Sequence, residues 1–169
     1  LQGEMRSGVR LGVDVGKARV GVARSDNHGM LATPVETVAR DLPSGSVARV
    51  VEIASELEAF EIIVGLPLNM RGERTLSTDD AQAFAEELAT ACAPSDVSVR
   101  LVDERLSTVS AQSQLRQAGK KTKQSRNIID QAAAVVILQH ALDIERARGE
   151  AAGTEVEPQS GPLGEGTPE

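Results

Sequence analysis

The apolar residues of this chain change their period once, near residue 45, and that change restricts the folds open to it. Before it, residues 9–15 (VRLGVDV) alternate, with Val9, Leu11, Val13 and Val15 on one face. Gly16-Lys17-Ala18-Arg19 reads as a tight turn and residues 20–25 (VGVARS) as a second strand. Residues 31–38 (LATPVETV) read as a third, after the turn-like Asp26-Asn27-His28-Gly29. Pro34 inside the third run predicts an edge strand or a bulge, because proline cannot donate to a ladder. Short strands on short turns predict an antiparallel meander.

Beyond residue 45, helical and strand periods take turns. Val47, Val50, Val51, Ala54 and Leu57 recur at helical spacing, and residues 61–66 (EIIVGL) form an apolar strand. Residues 77–92 open on Ser and Asp signals and place Ala81, Phe84, Ala85 and Leu88 on one helical face. Another strand is predicted over 97–102, a helix over about 107–118 ended by Gly119, and a long helix over about 126–148. Phe60 and Phe84 fall in helix-like apolar patterns and are assigned to core packing. The order β-β-β-α-β-α-β-α-α predicts a mixed sheet with helices on its faces.

A chain of 169 residues suffices for one domain with its own core. Residues 1–8 are expected to be a flexible N-terminal remnant and residues 9–148 the domain. The acidic, Gly/Pro-rich residues 149–169 are expected to be a disordered tail, having too little apolar content to pack. No apolar run approaches the ~20 residues of a membrane span. The single cysteine, Cys92, cannot form an internal disulfide or a cysteine-based zinc site, and sits on a helical apolar stripe. Both points predict a cytoplasmic protein without a membrane partner.

A net charge of −7 argues at first against a polyanionic partner. However, the tail holds five Glu and no base, which leaves residues 1–148 near neutral at −2. Residues 111–129 carry Arg116, Lys120, Lys121, Lys123 and Arg126 and no acid. Such a run either steers a phosphate backbone or is simply a solvated loop. Without Trp or Tyr the chain has no aromatic platforms on which to stack bases, so nucleic-acid recognition would rest on backbone, shape and charge.

Three carboxylates stand out. Asp14 lies inside a strand, where Asp is disfavoured, between Gly12 and Gly16. Either it starts the turn, or the bare backbone around it admits a metal ion or phosphate. Asp103 and Glu104 follow an apolar strand at its carboxyl end, where ligands bind in open α/β sheets; a helix-start acidic pair or a salt bridge to Arg105 is the alternative. Asp130 has Ala133, Ala134 and Ile137 as its helical neighbours, so its carboxylate needs a compensating charge. A bound cation or a buried arginine would supply one; a helix-capping Asp is the remaining alternative. Hard oxygen ligands suit Mg²⁺ or Mn²⁺, and two such ions ~3.5–4 Å apart assist phosphodiester hydrolysis. His28 and His140 are not spaced for zinc with Cys92, and neither a G-x-S-x-G element nor a P-loop is present.

LGVDVGKARVGVA, IIVGLPLNMRG, VDERLST and a final helix with DQAAAVVIL, in this order over about residues 9–145, resemble the YqgF/RuvX family. Its members are described as Holliday junction resolvases and as nucleases maturing the 5′ end of pre-16S rRNA. The resemblance implies an RNase H-like α/β fold: a five-stranded mixed sheet, order 3-2-1-4-5, with helices on both faces. It implies a metal-dependent endonuclease in which Asp14, Glu104 and Asp130 are catalytic and hold one or, as expected, two Mg²⁺ or Mn²⁺ ions. Asp103 ranks below them, as a further ligand or a supporting group. Asn69 stands after the strand in GLPLN, where it would orient substrate or water but cannot supply a carboxylate's charge. Lys17, Arg19, Arg71 and Arg105 are candidates for phosphates near the site, and Lys120, Lys121, Lys123 and Arg126 for a more distant stretch of nucleic acid. The expected partner is structured RNA, branched DNA or both, and a junction substrate would demand a symmetric homodimer. Two alternatives stay open: a non-catalytic nucleic-acid-binding domain of this fold, and a fragment of an actin/sugar-kinase-type ATPase, whose first hairpin carries a similar Asp-x-Gly element.

Overall fold

The computed structural model of the chain describes residues 5–104 and 123–158. The meander is present as β1 (Val9–Val15), β2 (Arg19–Ser25) and β3 (Ala32–Ala39), each antiparallel to the one before. Pro34 pairs with Ala23 beside a register shift on an edge strand, where its missing N–H costs no ladder bond. Helix α1 (Ser46–Glu56) leads into β4 (Ala59–Leu66), which returns beside β1 in parallel. Helix α2 (Leu76–Cys92) and a 3₁₀ turn (Ala93–Ser95) lead to β5 (Ser98–Asp103), parallel to β4. Helix α3 (Lys123–Arg148) and a two-residue strand β6 (Thr154–Glu155) complete the described fold. The helix expected over 107–118 lies outside the described residues.

The sheet has six strands, in the order β3-β2-β1-β4-β5-β6, rather than five. The sixth comes from the segment expected to be a disordered tail. Ala152 is buried under α3, Val156 packs on the other core and donates its N–H to the Val99 carbonyl, and the Arg100 side chain donates to the carbonyls of Ala152 and Gly153. Local composition argued against order there, and contacts with β5 supply it. At the other end, Arg6, within the expected remnant, donates to both Glu61 and Glu145 and so ties its segment to the domain.

Strand alternation divides the core in two. Val9, Leu11 and Val13 of β1, with Val20 and Val22 of β2, pack against α1 and α2. On the other face, Ala23, Ile63 and Val102 pack under Ala134, Ile137, Leu138, Ala141 and Leu142 of α3. That face is built for close approach. A Cβ on Gly12 would lie 2.6 Å from Leu138 Cβ, and one on Gly21 would collide with the Asp130 carbonyl. The long helix can therefore press its backbone onto the first two strands. Phe84 is core, as expected. Phe60 belongs to a strand rather than a helix, and the Arg6 and Arg10 guanidinium groups lie 4.8 and 4.9 Å from its ring centroid.

Candidate active site

Register carries the candidate carboxylates to one corner. Asp14 stands opposite Gly21 of β2, and on the α3 side, because Val13 beside it is buried on the opposite face. Val13 pairs with Val64 of β4, which brings Gly65 level with Asp14 about one strand spacing, ~4.8 Å, away. Val102 pairs with Gly65, and two residues further on Glu104 leaves the strand on the same face. Its Oε2 lies only 2.6 Å from where a Cβ on Gly65 would be, so the carboxylate rests on bare β4 backbone. β1, β4 and β5 are mutually parallel, so all of this happens at their carboxyl ends. Asp103, paired with Leu66, alternates to the other face. That separates it from the group.

Asp130 arrives from above. Its backbone carbonyl sits on Gly21, next to Asp14 across the β1–β2 ladder. Ala133, Ala134 and Ile137 are buried as their spacing requires. The compensating charge is already in the protein. Arg19 Nε of β2 donates to Asp130 Oδ2 at 2.7 Å, and the two side chains keep 31% and 20% of their exposure. The arginine partner expected as one alternative for Asp130 is Arg19, in a pair that is partly exposed rather than buried. Among the described residues, no three His, Cys, Asp or Glu side chains converge closely enough to hold a metal ion. Asp14, Glu104 and Asp130 thus share a corner without forming a closed cage. Their oxygen donors fit a hard divalent cation, and the cradle over Gly65 leaves backbone exposed beside them.

The turn next to Asp14 is clamped. Arg40 donates to the Gly16 carbonyl at 2.8 Å and pairs with Asp80 of α2 at 2.9 Å, which holds the Asp80 carboxyl below its ordinary range. Lys17 is exposed on that turn. Arg71 is exposed on the loop after β4, whose shape Asn69 sets. The Asn69 Oδ1 accepts from the Arg71 and Glu73 N–H groups, and its Nδ2 donates to Glu73 Oε1. The Asn69 side chain is thus engaged within the loop. The true cap of α2 is Thr75, in a reciprocal pair with Thr78, whose hydroxyl also donates to the Pro67 carbonyl and ties the loop to the helix. Lys123 and Arg126 fall in the first turns of α3, with their side chains outside the described residues. Arg105, Lys120 and Lys121 lie wholly outside them.

Sequence reading passed over Gly21 and Gly65, since their importance appears only once strands are paired. It also passed over a buried ion network at the far end of the same face. Arg10, Glu61 and Glu145 are 1–4% exposed. Arg10 pairs with Glu145 at 3.0 Å, and Arg6 bridges Glu61 and Glu145 at 2.8 Å each. The signal was there: an Arg and a Glu inside otherwise apolar strands demand partners.

This sheet order, with a helix crossing the first strands and carboxylates at the parallel strand ends, defines an RNase H-like α/β domain. A solved structure of T. thermophilus RuvC in complex with a Holliday junction substrate shares it, with a TM-score of 0.53 at 18% identity over 86% of this chain and 98% of that one. The chain belongs to the RuvX family, whose model, described as Holliday junction resolvase, matches residues 8–144. Curated relatives named "Putative pre-16S rRNA nuclease" include that of Leifsonia xyli, 59% identical over 94% of this chain and all of the relative. Those of Clavibacter michiganensis and Streptomyces avermitilis are 58% and 51% identical, over 88% and 90% of this chain and 91% and 97% of theirs.

Proposed function

We propose that this chain is a divalent-cation-dependent endonuclease that hydrolyses phosphodiester bonds of structured RNA, in the maturation of the 5′ end of pre-16S rRNA. The observation that carries the reading is that Asp14, Gly65 and Glu104 stand on the α3 face at the carboxyl ends of β1, β4 and β5, with the Asp130 backbone seated on Gly21. RNA is preferred because the relatives at 51–59% identity, aligned over most of their length, carry that name. The likeness to RuvC speaks for the fold alone.

In this reading Asp14 and Glu104 hold the cation, and Asp130 closes the set from the helix. A bound Mg²⁺ or Mn²⁺, one ion or two, would supply Lewis-acid chemistry for phosphodiester hydrolysis at this corner. The chain itself orients the substrate. Lys17 on the clamped turn, Arg19, and Arg71 on the Asn69-shaped loop flank the carboxylates and hold adjacent phosphates. Arg105, Lys120, Lys121, Lys123 and Arg126 grip a longer stretch. Asp103, on the opposite face, supports the end of β5 instead of ligating. With no aromatic platform, the protein recognises shape and backbone rather than stacked bases. Among the described residues no helix is long and apolar enough to cross a membrane.

The test is side-by-side cleavage of a pre-16S fragment and a four-way DNA junction, with Mg²⁺ and with Mn²⁺, alongside a solution mass. Cleavage of the RNA alone by a monomer is the expected outcome. Symmetric nicking of the junction by a dimer would move the reading to junction resolution, which needs two sites. Tight binding without cleavage would reduce it to a binding domain. Reversing the charges over 120–126 should flatten the salt dependence of binding; an unchanged slope would remove those residues from the interface.

A further inference from the structure

We infer that Arg19 is the resident counter-ion of the carboxylate corner: it holds Asp130 when no divalent cation is bound, and gives Asp130 up when one binds. Its guanidinium is then released toward substrate phosphate. This rests on reading Asp14, Glu104 and Asp130 as the cation site.

The backbones on both sides of the pair are fixed. Arg19 begins β2, in register with Ala39, and its carbonyl accepts the Gly16 N–H at 2.9 Å. Asp130 is seated on Gly21, and the neighbouring Gln131 donates to Thr37 Oγ1 at 2.9 Å. These contacts hold both main chains, so side-chain rotation is the route by which one partner replaces another. The bond to be exchanged is monodentate. It uses the single Nε donor, in contrast to Arg6, whose fork spans two carboxylates. It is also solvent-accessible, and an ion pair of this exposure holds its geometry by little. A divalent cation shared by two or three carboxylates binds far harder than a monodentate guanidinium at one of them.

Two cations competing for one carboxylate oppose each other reciprocally, so removing the arginine must strengthen metal binding. The experiment is Mn²⁺ titration by calorimetry of the full chain and of R19Q, R19K, R71Q, D14N and E104Q, with a thermal melt of each. R19Q should bind Mn²⁺ about three- to tenfold more tightly, a step of up to ~1.4 kcal/mol. R19K should fall between it and the unchanged protein. R71Q removes the same charge from the exposed loop and should stay within about twofold. Equal or weaker Mn²⁺ binding by R19Q, with D14N and E104Q still impaired, overturns the inference and leaves the cation site standing. Unaltered Mn²⁺ binding in D14N and E104Q overturns the site itself, and the inference with it. A second readout needs no loss of fold. In the unchanged protein, the Arg19 Nε–H resonance, assigned against R19K, should lose its protection from solvent exchange as Mg²⁺ is added. A signal unmoved at saturating Mg²⁺ overturns the exchange.

Discussion

The two ends of α3 hold arginines against carboxylates in opposite styles. Near its carboxyl end, Glu145 is buried and bound by two arginines, and Arg6 extends the network to a second buried carboxylate, Glu61. About 22 Å earlier along the helix, at 1.5 Å per residue, the partner of Asp130 among the described residues is Arg19, through its Nε and in partial contact with solvent. The same two side-chain types thus build a fastener and an exchangeable contact. The difference lies in redundancy and in water. A carboxylate with several donors in a dry site cannot change partners without stranding a charge, whereas a singly held, wetted one can. The far end fixes the helix on the sheet so that the near end can be spared for chemistry.

The comparison is broken most severely at the fastener. Glu145→Gln leaves Arg10, 1% exposed, without its charged partner, and should cost about 3–5 kcal/mol in urea unfolding. Cleavage per folded molecule should survive. The network also has a pH signature. Burial opposes ionisation of Glu145, but the Arg6 side-chain and backbone donors and the charges of Arg10 and Arg6 outweigh it and hold the carboxyl at about 2 instead of its ordinary 4.5. The folded value lies below the unfolded one. This contribution is therefore complete above pH 4.5 and is lost as pH falls toward 2. Acid unfolding of the unchanged protein should steepen in that window, and the Gln variant should lose that part of the slope.

The near end should respond in the opposite way. Asp14→Asn should lower metal-dependent cleavage about 10²–10³-fold while moving the thermal midpoint by no more than about 2 °C, since Asp14 is only half-buried. A variant that melts early in proportion to its lost activity would make Asp14 part of the scaffold.

Much of this arrangement could be read from the chain because it follows from local period. Val9 to Val15 gave the first strand and its two faces, and the spacing of Ala133, Ala134 and Ile137 placed Asp130 against a packed surface that demanded a positive charge. Which charge was not legible, because Arg19 is 111 residues away and meets Asp130 only after β2 is folded under α3. The glycines divide similarly. Gly12 and Gly16 flank Asp14 in sequence, yet Gly12 mainly admits Leu138 of the helix. The bare backbone around the carboxylates comes from Gly21 and Gly65, neighbours only through register. β6 escaped notice because two residues carry no period, and its order comes from the donors of Arg100 and the burial of Ala152.

Gly65 lets the comparison be sharpened within the near end. Gly65→Ala would set a Cβ 2.6 Å from both Glu104 Oε2 and Ile137 Cδ1. The end of Glu104 can turn away, but Ile137 is 1% exposed and Glu104 Cγ lies 2.9 Å from the same point, so overpacking should cost about 1–3 kcal/mol. Turning Glu104 away removes it from Asp14, so cleavage and Mn²⁺ affinity should each fall about tenfold or more. A stability loss without a loss of affinity would mean that Glu104 has no part in holding the cation.

The smallest effect belongs to the edge of the sheet. Ending the chain after Gly149 removes β6, uncovers the surface that Ala152 buries, and strips the Arg100 guanidinium of two carbonyl acceptors. Arg100 is only half-buried and water can replace those acceptors, so the cost reduces to a small apolar area and a few edge hydrogen bonds. About 1 kcal/mol is expected, or a fall of ~2–4 °C in thermal midpoint, with cleavage unchanged within twofold. β5 keeps its parallel pairing with β4 through Leu66↔Asp103, and that pairing, rather than the added strand, carries Glu104 to the corner. A large loss of cleavage in this truncation would show that β6 sets the position of the β5 end, and would extend the functional part of the molecule into its acidic segment.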